Sequence, residues 1–360
     1  MTKAGKIDIN AMKKFVNKKV GINIAHDLNQ DNPTAVKEWI PTGSRWLDSI
    51  ICRGTMAGIP VGKITELAGL SSAGKSYMAC QIASQAQKKG HCVVYFDAES
   101  AIDPAFLENS GININNDFLY IQAVSVEKTL ETIEDLMTEY AETQFLFIWD
   151  SIAATSSEKD LEGDFNPQSS MAVKPRIFAK AFPKLTIPLA NQQCTLLLIN
   201  QLKTNITSNI VAPGGKAIEY FCSLRIWLTK RKAKASFVTD STGLRIGSEV
   251  KVKIEKSRFG SEGRTCGFKI LWGKDVGIQD EESWLEALRA SGSDRFKASA
   301  WNKIYDSNGK EFKFQKSQWI TKLQEPEFRS VVLDIMDEEI IRKFDSEGKN
   351  FGLEGEDDEG

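Results

Sequence analysis

Short apolar runs alternate with longer stretches of helical spacing from about residue 60 to residue 230. Runs at Ile64–Ala68, Cys92–Phe96, Leu119–Gln122, Phe145–Trp149, Thr195–Asn200 and Leu224–Thr229 are apolar at nearly every position, as strands buried on both faces must be, and the segments between them are long enough for crossover helices. The pattern predicts an α/β fold, a mostly parallel sheet covered by helices. Glu249–Glu255 alternates apolar and charged residues instead, and with Gly267–Trp272 it predicts antiparallel strands added at one edge. Upstream, Ile9, Met12, Phe15, Val16 and Val20 fall at helical spacing among Lys13, Lys14, Lys18 and Lys19. A lone helix of that size cannot bury its stripe, so it packs either on its own core or on a neighbouring subunit.

These patterns divide the chain into an N-terminal helix and linker (1–35), an α/β core (36–290), a small carboxyl-terminal α+β lobe (291–350) and an acidic tail (351–360) expected to be disordered. In the terminal lobe cations mix with aromatics around Arg295, Trp301, Lys310 and Trp319, which reads either as a duplex-capturing surface or as the core and rim of a small domain. Net charge is −2, so any nucleic-acid binding must come from local basic patches. The six cysteines have no paired spacing, which argues for reduced thiols in a cytoplasmic protein. With His26 and His91 the only histidines, histidine-based nucleophilic or zinc chemistry is excluded as a main activity. No apolar run is long enough for a membrane span.

Gly69-Leu-Ser71-Ser72-Ala73-Gly74-Lys75-Ser76 satisfies G-x-x-x-x-G-K-[ST] between a predicted strand and a predicted helix. Small residues let backbone N–H groups turn onto phosphates at a helix start. Lys75 then reaches the β/γ-phosphates, and Ser76 supplies a hydroxyl to Mg²⁺. The strand Phe145–Trp149 ends in Asp150, a second candidate for holding Mg²⁺. Cys92–Phe96 delivers Asp97-Ala98-Glu99 to the same edge, and Glu99 is the candidate for orienting and deprotonating water. Asn200-Gln201 ends another strand as an amide pair suited to sensing the γ-phosphate.

The P-loop, Phe96-Asp-Ala-Glu99, Trp149-Asp-Ser-Ile-Ala153, Ile199-Asn-Gln201 and Gly214-Gly-Lys216-Ala, in this order, resemble the RecA recombinases from about Pro41 to Leu288. Glu255-Lys256-Ser257-Arg258 and the aromatic terminal lobe look closer to the phage UvsX-like branch. The resemblance implies an ATP- and Mg²⁺-dependent filament on single-stranded DNA that pairs and exchanges strands with homologous duplex. It also implies mediator and single-strand-binding protein partners and a cytoplasmic location, the host's if phage-encoded. By position, Glu99 corresponds to the catalytic glutamate, Gln201 to the γ-phosphate switch, and Asp103 with Phe106 to the adenine contacts. Lys256 and Arg258 correspond to cations that reach a neighbour's γ-phosphate. The segments 156–170 and 202–215 resemble the two DNA-binding loops. Lys203, Gly214, Gly215 and Lys216 are candidate phosphate contacts, Ile206 is a candidate base wedge, and Arg176, Lys180 and Lys184 are helix cations near the filament axis. Ser71 stands where bacterial members have an acidic residue, and Gln201 stands where the phage protein has histidine. The alternative reading is a RecA-fold ring ATPase such as a DNA helicase.

Overall fold

The computed structural model describes residues 8–21, 24–28, 32, 35–100, 102–162, 173–204, 210–211, 213–229, 236–272 and 277–344. Helix α1 (Ile9–Val20) is capped by the Asp8 carboxylate at one end and by left-handed Gly21 at the other. Strands β1 (Trp39–Ile40) and β2 (Ile59–Pro60) bracket helix α2 (Arg45–Ile51). The core then runs β3 (Ile64–Gly69), α3 (Lys75–Lys88), β4 (Cys92–Asp97), α4 (Pro104–Asn109), β5 (Phe118–Gln122), α5 (Val126–Glu139), β6 (Phe145–Asp150), α6 (Glu158–Glu162), α7 (Val173–Gln192) and β7 (Thr195–Gln201). A two-residue ladder, β8 (Lys203–Thr204) with β9 (Ile210–Val211), precedes α8 (Lys216–Phe221) and β10 (Leu224–Thr229). Strands β11 (Phe237–Thr239), β12 (Arg245–Ser257), β13 (Thr265–Leu271) and β14 (Gly277–Gln279) lead into α9 (Asp280–Ser291). The terminal part comprises β15 (Phe296–Lys297), β16 (Asn302–Tyr305), β17 (Glu311–Phe314), α10 (Trp319–Leu323) and α11 (Pro326–Met336).

One sheet, ordered β14-β13-β12-β10-β3-β7-β6-β4-β5 with β11 on β12, organises the molecule. Its pairs from β10 to β5 are parallel, and β12 to β14 extend it antiparallel, as the two hydrophobic patterns predict. One face packs Phe96, Phe147, Trp149 and Leu198 against α5 and α7, where Phe178 and Phe182 stack. The other packs Leu67, Tyr95, Ile148 and Ile199 against α3 and α2. That second core continues without a break into Trp284, Phe314, Trp319 and Phe328 of the terminal elements. Phe314, Trp319 and Phe328 are therefore core and pack ring against ring, Trp301 is exposed, and Arg295, Lys303 and Lys310 pair with carboxylates at the rim. Among the described residues no helix is long and apolar enough to cross a membrane.

The junction between α2 and α9 holds a buried carboxylate, Asp48, and a half-buried one, Asp280. Asp48 accepts from the Thr42 N–H (2.9 Å) and hydroxyl (2.7 Å), and Asp280 accepts from Ser44 Oγ (2.6 Å), Arg45 N–H (2.7 Å) and Trp284 Nε1 (2.7 Å). Burial pushes the Asp48 carboxyl from 3.8 to about 7; the Thr42 bonds oppose this, the Asp280 charge adds to it, and Arg45 opposes it. The folded protein thus holds a proton here that the unfolded chain has released. Its stabilising effect is complete below the unfolded value and is lost as pH rises through the interval from 3.8 to about 7. Asp48→Asn keeps an acceptor for Thr42 without the charge. We expect its loss of thermal stability between pH 5.5 and pH 8 to be smaller than the parent's; an equal loss in calorimetry would show that another group titrates.

Candidate functional site

The parallel strands end at one edge of the sheet, and the chemistry collects there. Gly69 ends β3 where a Cβ would lie 2.7 Å from the Leu228 carbonyl oxygen, so the turn can pass only without a side chain. Gly74 sits at φ +88° as the cap of α3, with space for a Cβ closed by Ile270 Cδ1 at 2.6 Å. Because that cap brings no side chain, the first-turn N–H groups of α3 face the loop's hollow. Lys75 Nζ donates to the Leu70 carbonyl at 3.0 Å across the loop. Ser71 and Ser72 are exposed on the loop's crest and Ala73 is buried beneath it.

Asp150, at the end of β6, lies in register with Asp97 at the end of β4. Tyr95 Oη donates to Asp150 at 2.8 Å and the Ser76 hydroxyl bonds the same carboxylate. Burial pushes the Asp150 carboxyl above its ordinary range, the Ser76 and Tyr95 bonds draw it back, and the charges of Glu99 and Asp97 push it up again. A divalent cation between Ser76 and Asp150 would relieve this carboxylate crowding, and both donors are the hard oxygens that Mg²⁺ takes. No group of three or more His, Cys, Asp or Glu is assembled for a metal among the described residues.

Glu99 is exposed beside this pair, and Ser151 Oγ donates to its Oε1 at 3.2 Å. Asp97 shapes the segment that carries it, accepting from Glu99 N–H (2.9 Å), Ile102 N–H (3.3 Å) and Tyr120 Oη (3.1 Å). Gln201, half-buried, ends β7 directly opposite Gly69. Asn200 does not share its position. It is fully buried, its Oδ1 accepts from Gln201 N–H (2.9 Å), and its Nδ2 donates to Glu66 Oε1 (2.8 Å) and to the Pro213 carbonyl (2.7 Å). The expected amide pair is therefore a single facing amide, Gln201, with a structural one behind it. Asp103 caps α4 by accepting from Phe106 N–H at 2.9 Å, and Phe106 meets Tyr77 of α3 edge-on. That places both residues on the wall beside the P-loop helix.

The described end of the second DNA-loop candidate packs on the first turn of α7, the helix that follows the first candidate. Gly214 (φ +107°) and Gly215 (φ +76°) turn tightly before α8, and a Cβ on Gly215 would lie 3.0 Å from Pro175 in the first turn of α7. Lys203 is exposed at the start of the second loop and Lys216 directly after its end, while Ile206 and residues 163–170 of the first loop lie outside the described residues. Arg176 and Lys180 are exposed on α7, whereas Lys184 is paired with Glu134 at 2.6 Å. Lys174, which pattern reading did not select, is half-buried near enough to Lys203 for the two charges to interact, and donates to the Ala153 carbonyl at 3.2 Å.

Lys256 and Arg258 stand elsewhere. Arg258 N–H bonds Ser223 and Ser223 N–H bonds Ile64, so Arg258 lies in the row of Ile64, about 16 Å of strand before Gly69. Lys256 Nζ donates to the Glu219 carbonyl and, at 3.2 Å, to that of Tyr220, which also accepts from Arg258 Nη2 at 2.8 Å. Burial and the Arg258 charge draw the Lys256 ammonium below its ordinary range. Both cations thus lie toward the end of the sheet away from their own P-loop.

The model of the RecA N-terminal domain family matches residues 7–278. The chain belongs to the RecA family. It is similar to Protein RecA of Acinetobacter baylyi, 30% identical over 340 residues covering 93% of this chain and 92% of that protein. Protein RecA of Colwellia psychrerythraea is 30% identical over 283 residues, covering 78% and 77%. That of Methylococcus capsulatus is 32% identical over 246 residues, covering 67% of each. The RecA-type core, its use of ATP with Mg²⁺ and a DNA-dependent ATPase activity coupled to recombination follow from this membership. Within this RecA-family site, sequence reading missed Tyr95, Ser151 and Lys174 and did not give Asp97 its part. Tyr95 alone left a trace, as a hydroxyl-bearing residue inside an otherwise apolar strand that must find a partner when buried.

Proposed function

We propose that this chain completes its ATP site between subunits: Lys75, Ser76, Asp150, Glu99 and Gln201 come from one subunit and Lys256 with Arg258 from the next. The observation that carries this is the position of the two cations toward the end of the sheet away from their own P-loop, where a neighbouring subunit's phosphates could meet them. Glu99 orients and deprotonates the attacking water, its carboxylate steadied by Ser151 and its backbone by Asp97. Lys75 and the cation at Ser76 and Asp150 neutralise charge developing on the phosphates when nucleotide is bound. Self-association is supported by α1, whose Ile9, Met12, Phe15 and Val20 are all exposed, an apolar stripe that needs a partner. In the same reading Lys203, Gly214, Gly215, Lys216 and Arg176, with Lys174 behind them, hold the backbone of single-stranded DNA, and Asp103 and Phe106 border the adenine.

Glu255-Lys256-Ser257-Arg258 supports reading the chain as closer to the phage UvsX-like branch, and the same reading gives it a mediator and a single-strand-binding protein as partners and the cytoplasm as its location. The test is phosphate release per subunit across a protein dilution series, with and without single-stranded DNA. Turnover should rise with protein concentration and with DNA, and negative-stain images should show filaments. Turnover independent of both, or closed rings, would refute the filament assembly and favour a ring ATPase.

A further inference from the structure

Behind the phosphate edge lies a charged group that hydrolysis does not use. Glu66, in the middle of β3 and fully buried, accepts from Asn200 Nδ2 at 2.8 Å through one oxygen and from Arg225 Nε at 2.6 Å through the other. Asn200 in turn holds the Pro213 carbonyl at the end of the second loop and the N–H of Gln201 beside the P-loop. Arg225 lies opposite Lys256 in the β10–β12 ladder, next to an irregularity in register. Three buried polar side chains therefore run from the loop end and the facing amide, through the sheet, to the strand that carries the distant cations.

A second link runs beside it. Gly214 and Gly215 lead directly into α8, and the Glu219 and Tyr220 carbonyls near the other end of that helix grip Lys256 and Arg258. A buried carboxylate–guanidinium pair adds little net stability compared with apolar side chains of the same volume, because desolvation offsets the attraction. What it does impose is orientation: each oxygen of Glu66 has one partner, and removing any member strands a buried polar group.

We propose that Glu66 is a positioning residue that couples the second loop and Gln201 to Lys256, so that a shift of the loop on DNA moves the cations offered to the neighbouring subunit. This rests on the between-subunit reading of the site. The coupling is read as the ratio of affinities for a fluorescent oligothymidylate in the presence of a non-hydrolysable ATP analogue and of ADP. Full-length Glu66→Gln is expected to reduce that ratio at least tenfold, about 1.4 kcal/mol of coupling. The double replacement Glu66→Leu with Arg225→Met removes the buried charged pair together and leaves Asn200 its bonds to the Pro213 carbonyl and the Gln201 N–H. It is expected to fold with a melting temperature near the parent's and to show the same loss of coupling.

A lowered melting temperature with an unchanged ratio in Glu66→Gln would show a purely structural role and overturn the proposal, as would a full ratio in the apolar double variant. If Glu66→Gln does not fold, the apolar variant and Arg225→Lys, which keeps the charge but not the Nε bond, decide by the same ratio. Lys256→Ala is measured in parallel. If it keeps the full ratio, the between-subunit reading has failed and the relay with it; if it loses the ratio and Glu66→Gln does not, only the relay has failed.

Discussion

Replacing Lys256 and Arg258 together by alanine should lower DNA-stimulated phosphate release by about 10³- to 10⁵-fold, the range typical of cations supplied in trans to phosphoryl transfer. ATP binding to the isolated subunit should persist, because neither residue reaches its own P-loop: Arg258 shares a row with Ile64, and the strand runs on to Gly69 before the phosphate loop begins. A subunit-mixing experiment separates this from a folding defect. The double variant keeps Lys75, and a Lys75→Ala subunit keeps both cations. In mixed filaments the P-loop of the first is served by the cations of the second, so the mixture should hydrolyse ATP faster than either protein alone. Rates that merely average would contradict a site shared between subunits, as would a double variant within tenfold of the parent.

Glu99→Gln should reduce turnover by about 10²- to 10⁴-fold, the usual contribution of a positioned base. Glutamine keeps the shape and an acceptor for Ser151 Oγ, and the backbone bond from residue 99 to Asp97 does not involve the side chain. Nucleotide binding and assembly on single-stranded DNA should therefore survive, and filaments formed with ATP should persist longer than the parent's because they cannot discharge it. Phosphate release and filament lifetime in electron micrographs check both halves. Turnover within threefold of the parent would remove Glu99 from the role of base and leave water positioning to Gln201.

Much of the core could be read without coordinates because its signals are local. Phe145–Asp150 is buried along its whole length, so its sequence has no polar break, and the alternating Glu249–Glu255 lies in β12 with one face toward the core. The P-loop is legible for the same reason: its spacing encodes one turn and one helix start. Asn200 shows where such reading stops short. Successive strand residues point to opposite faces, so Asn200 and Gln201 could not both look toward the phosphates, and it is Asn200 that turns inward to Glu66. In the terminal lobe, composition could not separate a basic binding face from a core with a charged rim. The ring contacts among Phe314, Trp319 and Phe328 assign these aromatics to the core.

By itself the sequence determined the α/β class, the strands of the parallel sheet, and the P-loop turn at the start of α3, since burial periodicity and backbone conformation are properties of neighbouring residues. Only the tertiary structure decided that Tyr95 and Ser76 meet on Asp150, that Ser151 supports Glu99, and that Glu66 joins Asn200 to Arg225. It also decided that Lys256 and Arg258 stand toward the end of the sheet away from their own P-loop. Strand order and register bring together residues 134 and 159 positions apart in the case of Glu66. They are fixed by packing across the whole sheet, and no local pattern records them.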